Sequence, residues 1–207
     1  HTNGSFLKAA QDGRKGYLFL EEAIRINPNM YDAHMGFGLF RYLLAKLPKS
    51  MRWILNALGF SGDLEGGLRS LRLAAEKGTY TRTEAKLFLA QFMFAEGKRD
   101  TAVQLLNDLR REFPENTLFL VLYSFWQHRL DNLDAAMTAA RAAITLNNRK
   151  KVRYGEELAY STLGSIYFTR NDFENAATNY RLYMKMTRND ERTPNRTFYR
   201  AALAMEI

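Results

Sequence analysis

A pairing of small residues around a turn, repeated at a fixed interval, constrains the fold of this chain more than any other feature. The stretch YSTLGSIYFTRNDFENAATNYRLYMKM carries Gly164 in its first apolar segment, Asn171 at its centre and Ala176 in its second. Small residues let two antiparallel helices approach closely, and asparagine tolerates the left-handed conformation of a tight turn. The stretch therefore predicts a helical hairpin.

The same arrangement recurs upstream. Ala136 lies 40 residues before Ala176, and Ala102 lies 34 residues before Ala136, preceded by the turn residue Gly97. A recurring interval of this size predicts stacked units, each of which buries its apolar face against the next. The six extra residues of the longer interval fall at NNRKKVRYG, which we expect to form a basic loop or a helix extension.

An earlier unit is interrupted. Gly38 and Gly67 take the places of the two small residues, but 29 positions separate them, where 12 separate Gly164 from Ala176. The difference predicts a 17-residue insertion inside this unit. Its sequence, LPKSMRWILNALGFSGD, reads as an amphipathic helix that ends at Gly59. The candidate residues of this insertion helix are Met51, Trp53, Ile54, Leu55 and Leu58.

The units resemble tetratricopeptide repeats over nearly the whole chain. Residues 36–78 further resemble the tetratricopeptide repeat 39 or inclusion-body-clearance family and similar bacterial tetratricopeptide proteins, in which an interrupted repeat carries an L-P stretch followed by G-F-x-G-D. The resemblance implies an all-α superhelix (solenoid) of about four full repeats with half-repeats at both ends, and it supplies no catalytic residues.

We expect one array over residues 1–207. Its predicted parts are a half-repeat at 1–30, in which GYLFLEEAIRINP is the second helix, a repeat with the insertion at 31–82, repeats at 83–116 and 117–150, a basic insert at 151–156, a repeat at 157–190 and a capping helix at 191–207.

The concave wall of such an array is lined mainly by the first helix of each unit. The residues at these positions are mostly apolar or aromatic, and they lack the Lys, Arg and Asn that grip a peptide's terminal carboxylate in well-known tetratricopeptide proteins. Three interpretations remain open: the residues are covered core, they bind a partner helix or peptide, or they bind a small apolar ligand. The candidate groove residues are Leu39, Tyr42, Leu87, Gln91, Phe94, Val121, Phe125, His128 and Phe168.

The insertion helix also has several interpretations. It packs back on the array, covers the groove as a lid, docks a partner, or lies on a membrane surface. A helix of about ten residues binds membranes weakly on its own, so we expect any membrane contact to be weak.

The whole chain carries 30 Lys and Arg against 22 Asp and Glu, and the excess of positive charge is concentrated in its C-terminal third. A basic patch is either a solvated face or a contact for an acidic partner or an anionic surface. We do not expect nucleic-acid binding, because a helical repeat offers no strand platform with stacking aromatics. The patch residues are Arg149, Lys150, Lys151, Arg153, Arg196 and Arg200.

Nothing in the sequence assembles a catalytic or metal centre. The chain has no cysteine, and its histidines, His1, His34 and His128, are far apart in sequence, with no second histidine at metal-ligand helical spacing. No phosphate-cradling glycine loop or nucleophile motif occurs. We therefore expect no enzyme activity, cofactor or metal, with His34 in the core or at the edge of a cleft.

The sequence predicts a scaffold that binds a protein or peptide partner in an apolar groove. The alternative is a helical module of a larger assembly, docked through its basic C-terminal third. The chain shows neither a signal-peptide core nor an apolar run of the roughly 18 residues that a spanning helix needs, so a cytoplasmic and an exported location both stay open. The sequence does not indicate the oligomeric state.

Overall fold

A computed structural model describes residues 2–49, 59, 62–187, 200 and 203–205, with side chains from residue 12 onwards. Within these ranges the chain is helical and contains no strand, so the predicted all-α class is confirmed. The main helices are α1 (Thr2–Ile26), α2 (Ala33–Lys46), α3 (Leu64–Lys77), α4 (Arg82–Ala95), α5 (Arg99–Glu112), α6 (Thr117–Arg129), α7 (Leu133–Lys150), α8 (Glu156–Thr169) and α9 (Phe173–Thr187).

The chain divides into two compact units, residues 1–106 and 107–207. In the first unit α2 pairs with α3, and α3 packs on α4. Gly38 of α2 and Gly67 of α3 lie at the crossing, where each glycine faces the backbone of the other helix. The missing side chains let the two helices approach closely, as the sequence predicts.

Asp32 ties the start of α2 to the loop between α3 and α4. Its Oδ1 accepts hydrogen bonds from the backbone N–H groups of Thr79, Tyr80 and Thr81, at 3.1, 2.9 and 2.8 Å. The Thr81 hydroxyl donates to the same oxygen at 2.9 Å. These donors favour the ionised carboxylate and lower the pKa of Asp32. One side chain therefore links the start of α2 to the start of α4.

In the second unit α6 pairs with α7 and α8 pairs with α9, while α8 also packs on α6 and α7. Gly164 of α8 lies against the ring of Tyr180 on α9, where a Cβ would come within 2.6 Å of the ring. The core between α6, α7 and α8 consists of Val121, Ala136, Met137, Ala140, Ala143, Ala159, Leu163 and Ile166. Its many alanines bring these helices close together.

Three hairpin turns close in the same way. Gly97, Asp131 and Asn171 have φ angles of 77°, 64° and 59°, in the left-handed region. At each turn this residue donates its N–H to the carbonyl of the residue three positions before it. The next residue donates its N–H to the carbonyl of the residue five positions before it. This is the hydrogen-bond pattern of a Schellman motif. The turns lie where the spacing of the sequence places them.

The described residues towards both ends of the chain are helical. α1 spans most of the predicted half-repeat as one helix of 25 residues, since no residue in it adopts a positive φ that would close a turn before Gly16. At the other end, residues 203–205 are helical and Ala204 packs with Ala176, Ala177 and Tyr180. The remainder of the predicted capping helix, apart from Arg200, lies outside the described residues.

The predicted basic insert is both a helix extension and a loop. α7 continues to Lys150, and residues 151–155 then lead into α8. The loop is bounded by two left-handed residues, Lys151 with φ 55° and Gly155 with φ 68°. The fully buried Asn147 of α7 anchors the loop by donating its side-chain N–H to the carbonyl of Tyr154 at 3.1 Å.

Candidate protein-interaction site

The groove residues of the first unit divide into an accessible set and a buried one. Leu39 on α2 and Leu87, Gln91 and Phe94 on α4 are half-buried. Tyr42 is only 3% exposed. It lies four positions after Gly38, so it shares the face of α2 that packs on α3, and its backbone approaches Gly67. Tyr42 is therefore part of the core.

A polar group surrounds the buried tyrosine. The Tyr42 ring stacks on Phe92 with centroids 3.7 Å apart, and its hydroxyl donates to Glu96 Oε1 at 2.6 Å. Lys46 Nζ lies 2.6 Å from the same carboxylate oxygen. Hydrogen bonds from Lys46 and Tyr42 lower the pKa of Glu96. Burial, together with the bond to ionised Glu96, raises the pKa of Tyr42 well above its ordinary value. The group holds α2 against α4.

The groove residues of the second unit show the same division. Phe125 and His128 on α6 and Phe168 on α8 are half-buried, whereas Val121 is 1% exposed. Val121 lies three positions before the fully buried Ser124, so it shares the face of α6 that meets the alanines of α7. Val121 is therefore a core residue, and the other three keep part of their surface exposed. Phe168 also packs against the buried cluster of Ala176, Ala177, Tyr180 and Ala204.

Two arginines lie beside the accessible aromatic rings. The Arg129 guanidinium carbon is 6.0 Å from the centroid of Phe125, and that of Arg200 is 5.9 Å from the centroid of Phe168. Burial lowers the pKa of His128, and the positive charges of Arg200 and Arg129 lower it further, against a weaker opposing effect of Asp131. The structure thus brings Phe125, His128, Phe168 and Arg200, all sequence candidates, together with Arg129.

Sequence reasoning missed Arg129 and did not place Arg200 in this site. Arg129 lies four positions after Phe125, and residues at that spacing share a helix face, so the helical periodicity could have found it. The position of Arg200 depends on how the end of the chain returns to α8. No local pattern in the sequence encodes that return.

The other basic-patch residues do not act as one surface. Arg149 pairs with the Glu115 carboxylate, and Lys150 Nζ lies 3.1 Å from it and donates to the Glu115 carbonyl at 2.9 Å. Lys151 and Arg153 instead line a cleft of about 840 Å³ on one side of the loop at 151–155. Arg196 lies outside the described residues. One carboxylate, Glu115, therefore contacts two of the four RKKVR cations and offsets one of their four charges.

A second cleft lies on the other side of that loop. Its volume is about 820 Å³, and Phe113, Pro114, Leu118 and Tyr154 contribute apolar surface to it. The Tyr154 ring is 70% exposed, although its own carbonyl is held by Asn147. The Tyr154 backbone is therefore anchored while its side chain is largely exposed to solvent.

The insertion helix candidates, Met51, Trp53, Ile54, Leu55 and Leu58, lie outside the described residues. The structure does describe the point where the chain returns from the insertion. Gly62 lies against the α2 backbone at Ala45, where a Cβ would overlap it. Asp63 accepts from the Gly66 N–H at 2.8 Å as the N-cap of α3 and pairs with Arg41 at 2.7 Å. The Gly-Asp pair of GFSGD thus fastens the returning chain to α2 and α3.

Among the described residues, no group of three or more His, Asp or Glu side chains is placed to hold a metal ion. His34 is 9% exposed and lies beside Tyr31, with ring centroids 6.5 Å apart. No helix in the described part of the chain has the length and apolar character needed to cross a membrane.

Two comparisons with known proteins bear on the fold and the family. The family model described as Iml2/Tetratricopeptide repeat protein 39 matches residues 32–192. Among solved structures, the chain is similar to the crystal structure of BtubC (BKLC) from P. vanneervenii, with a TM-score of 0.66 and 14% sequence identity. That match covers 95% of this chain and 82% of the other, and it supports the helical-repeat fold.

Proposed function

Because the chain belongs to the Iml2/Tetratricopeptide repeat protein 39 family, we propose that it is a non-enzymatic scaffold that binds a helix or peptide of a partner protein. Tetratricopeptide-type repeats generally mediate protein interactions, and the finer proposal concerns where the partner binds. We place it on the accessible groove residues of the second unit, Phe125, His128 and Phe168.

One observation carries this proposal. Phe125 and Phe168 belong to neighbouring helices that pack on each other, and both rings are only half-buried. The backbones that carry them are fixed by the alanine-rich core beneath, which includes Ala136 and Ala140. Aromatic side chains held on a rigid support lose little freedom when a partner covers them, so they favour binding. The apolar side chains of an amphipathic helix fit such a surface.

The test uses a photo-crosslinking amino acid at Phe125 and, as a matched control, at Leu118, an exposed apolar residue at the start of the same helix. We expect a partner protein to crosslink at position 125 and not at position 118. Phe125→Asp should then weaken binding of that purified partner at least about tenfold, while Leu118→Asp leaves it unchanged. Equal crosslinking at both positions contradicts the proposed site. Loss of the helical circular-dichroism signal in Phe125→Asp assigns the residue to the core.

A second candidate function is docking to an acidic partner through the basic residues near the loop at 151–155. The observation that favours it is the cleft in which three cations, Lys151, Arg153 and Lys185, outnumber two carboxylates, Glu156 and Glu157. Binding of poly-glutamate should then fall steeply between about 50 and 500 mM NaCl. It should also be lost in the double variant Lys151→Glu/Arg153→Glu and persist in Phe125→Asp. Persistence in the double variant removes this candidate.

A further inference from the structure

Positive charge and aromatic surface coincide at one place on the second unit. Arg129 lies near Phe125 and Arg200 lies near Phe168, at 6.0 and 5.9 Å from the ring centroids. Both guanidinium groups are also close enough to His128 to lower the pKa of its imidazole. We refer to Phe125, His128, Arg129, Phe168 and Arg200 as the arginine–aromatic cluster.

The two arginines of this cluster differ from others in the same unit. Arg111 pairs with Asp108, Arg149 with Glu115, and Arg170 with Asp134. Within the described ranges, neither Arg129 nor Arg200 forms an ion pair. Asp131 is the carboxylate that acts on His128, and the two arginine charges outweigh it. Among the residues that the structure describes, the cluster therefore carries a net positive charge next to half-buried aromatic rings.

We propose that the arginine–aromatic cluster selects an acidic amphipathic peptide segment of the partner protein, whose apolar side chains cover Phe125 and Phe168 and whose carboxylates pair with Arg129 and Arg200. This inference rests on the proposed function and names the chemistry of the partner. A guanidinium offers a fork of N–H donors that matches a carboxylate in a bidentate pair. Charge complementarity thus requires a negatively charged peptide, while the two aromatic rings supply the apolar contact.

A nucleic acid fits the cluster less well than an acidic peptide. Phosphate-backbone binding grows with the number of cations placed along a strand, and here two arginines flank apolar rings. Each exposed charge pair changes affinity by up to about fivefold, so two pairs together with apolar contact produce a moderate and selective interaction.

The experiment is a selection from a displayed library of random, roughly twelve-residue peptides, a length that covers a short recognition segment. The wild-type protein should enrich peptides that combine Asp or Glu with aromatic or aliphatic residues. The variant Arg129→Glu/Arg200→Glu should enrich Lys- and Arg-containing peptides instead. The control Lys98→Glu/Arg99→Glu, at two exposed residues of the first unit, makes the same change in net charge elsewhere and should keep the acidic preference.

A second measurement protects the test from a folding defect. The neutral variant Arg129→Gln/Arg200→Gln, checked by circular dichroism and thermal unfolding, should bind one selected, fluorescein-labelled acidic peptide about tenfold more weakly than the wild type does. Unchanged affinity in this variant overturns the inference.

The remaining outcomes separate this inference from the proposed function. Enriched peptides that are apolar without acidic residues, and that Phe125→Asp no longer binds, overturn the inference and leave the function standing. An equal loss of acidic preference in the Lys98→Glu/Arg99→Glu control assigns selection to net charge and also overturns it. Absence of any enrichment, or Arg129-dependent binding of a labelled single-stranded oligonucleotide in place of peptides, contradicts it as well. The proposed function fails separately if the crosslinks at positions 125 and 118 do not differ.

Discussion

Gly38 of α2 and Gly67 of α3 meet backbone to backbone. A Cβ on Gly38 would lie 2.7 Å from the Gly67 carbonyl oxygen, and a Cβ on Gly67 would lie 2.8 Å from the Gly38 carbonyl oxygen. Peptide groups on both sides limit how far this crossing can relax, because no flexible side chain stands between them. The two glycines also lie on either side of the insertion. Their contact therefore holds together the two helices that the insertion separates in sequence.

Replacement of either glycine by alanine should destabilise the protein. We expect Gly38→Ala and Gly67→Ala each to lower the free energy of unfolding by about 2 kcal/mol, because overpacking against backbone exceeds the gain in helix propensity. Urea unfolding measured by circular dichroism checks this. Gly16→Ala is the matched control: it lies in α1 with nothing within 4 Å of the added Cβ, and it should stabilise the helix by about 0.5–1 kcal/mol. Equal stability of all three variants would falsify the close crossing.

Removal of the Asp32 carboxylate should loosen the link between α2 and α4. Asp32→Ala should lower the free energy of unfolding by about 1–2 kcal/mol, because backbone donors of Thr79, Tyr80 and Thr81 lose a charged acceptor. Asp32→Asn, which keeps an acceptor oxygen, should lose less. Asp12→Ala, at an exposed position of α1, serves as the control and should change stability by less than about 0.5 kcal/mol.

The contribution of Asp32 should also depend on pH. Its pKa in the fold lies below the ordinary value of 3.8, so the stabilisation is fully present above pH 3.8 and is lost as the pH falls through the folded pKa. The stability difference between the wild type and Asp32→Ala should therefore shrink in acid. A difference that stays constant down to strong acid contradicts the charge-assisted contact.

His34 should make the protein less stable below neutral pH. Burial lowers its pKa from 6.5, an effect that the hydrogen bond to the Pro28 backbone only partly offsets. The unfolded chain thus takes up the proton first, so stability present above pH 6.5 is lost as the pH falls towards the folded pKa. Between pH 7.5 and 5.5 the loss from this one group is at most about 1.4 kcal/mol.

The measurement for His34 is the free energy of unfolding of the wild type and His34→Gln across that pH range. The variant should show a flatter dependence on pH, whatever its absolute stability. Parallel pH profiles for the two proteins would mean that the imidazole titrates in the fold as it does in the unfolded chain.

Loss of the Tyr42 hydroxyl should weaken the contact between α2 and α4. Tyr42→Phe keeps the ring on Phe92 and leaves Glu96 paired with Lys46, so only the hydrogen bond to the carboxylate disappears. We expect a cost of about 1–2 kcal/mol in the free energy of unfolding. Tyr154→Phe, at a largely exposed ring, should have no effect in the same urea titration. Identical behaviour of the two variants would show that the Tyr42 hydroxyl contributes nothing.

The sequence predicted the helix pairs because their packing follows a local rule. Small residues recur where two helices touch, and Ala90, Ala102, Ser124 and Ala136 are all fully buried. The same rule could have separated core from groove. Val121 precedes Ser124 by three positions and therefore lies on the same face of the helix. Tyr42 follows Gly38 by four positions and shares its face in the same way.

The arginine–aromatic cluster could be predicted only in part. The spacing of Phe125 and Arg129 on one helix is readable from sequence, because four residues make about one turn. The contact between Arg200 and Phe168 joins residues on different elements, and its existence depends on where the end of the chain packs. Likewise, Glu115 neutralises part of the RKKVR charge across 34 positions of sequence, a pairing that a count of charges does not contain.

The three hairpin tips at Gly97, Asp131 and Asn171 share one backbone geometry although their side chains differ. The joint is therefore an interchangeable part. We expect that the turn sequence of one hairpin can replace that of another without changing the angle between the two flanking helices. The side chains exposed at these turns can therefore vary while the packing of the helix pairs stays the same.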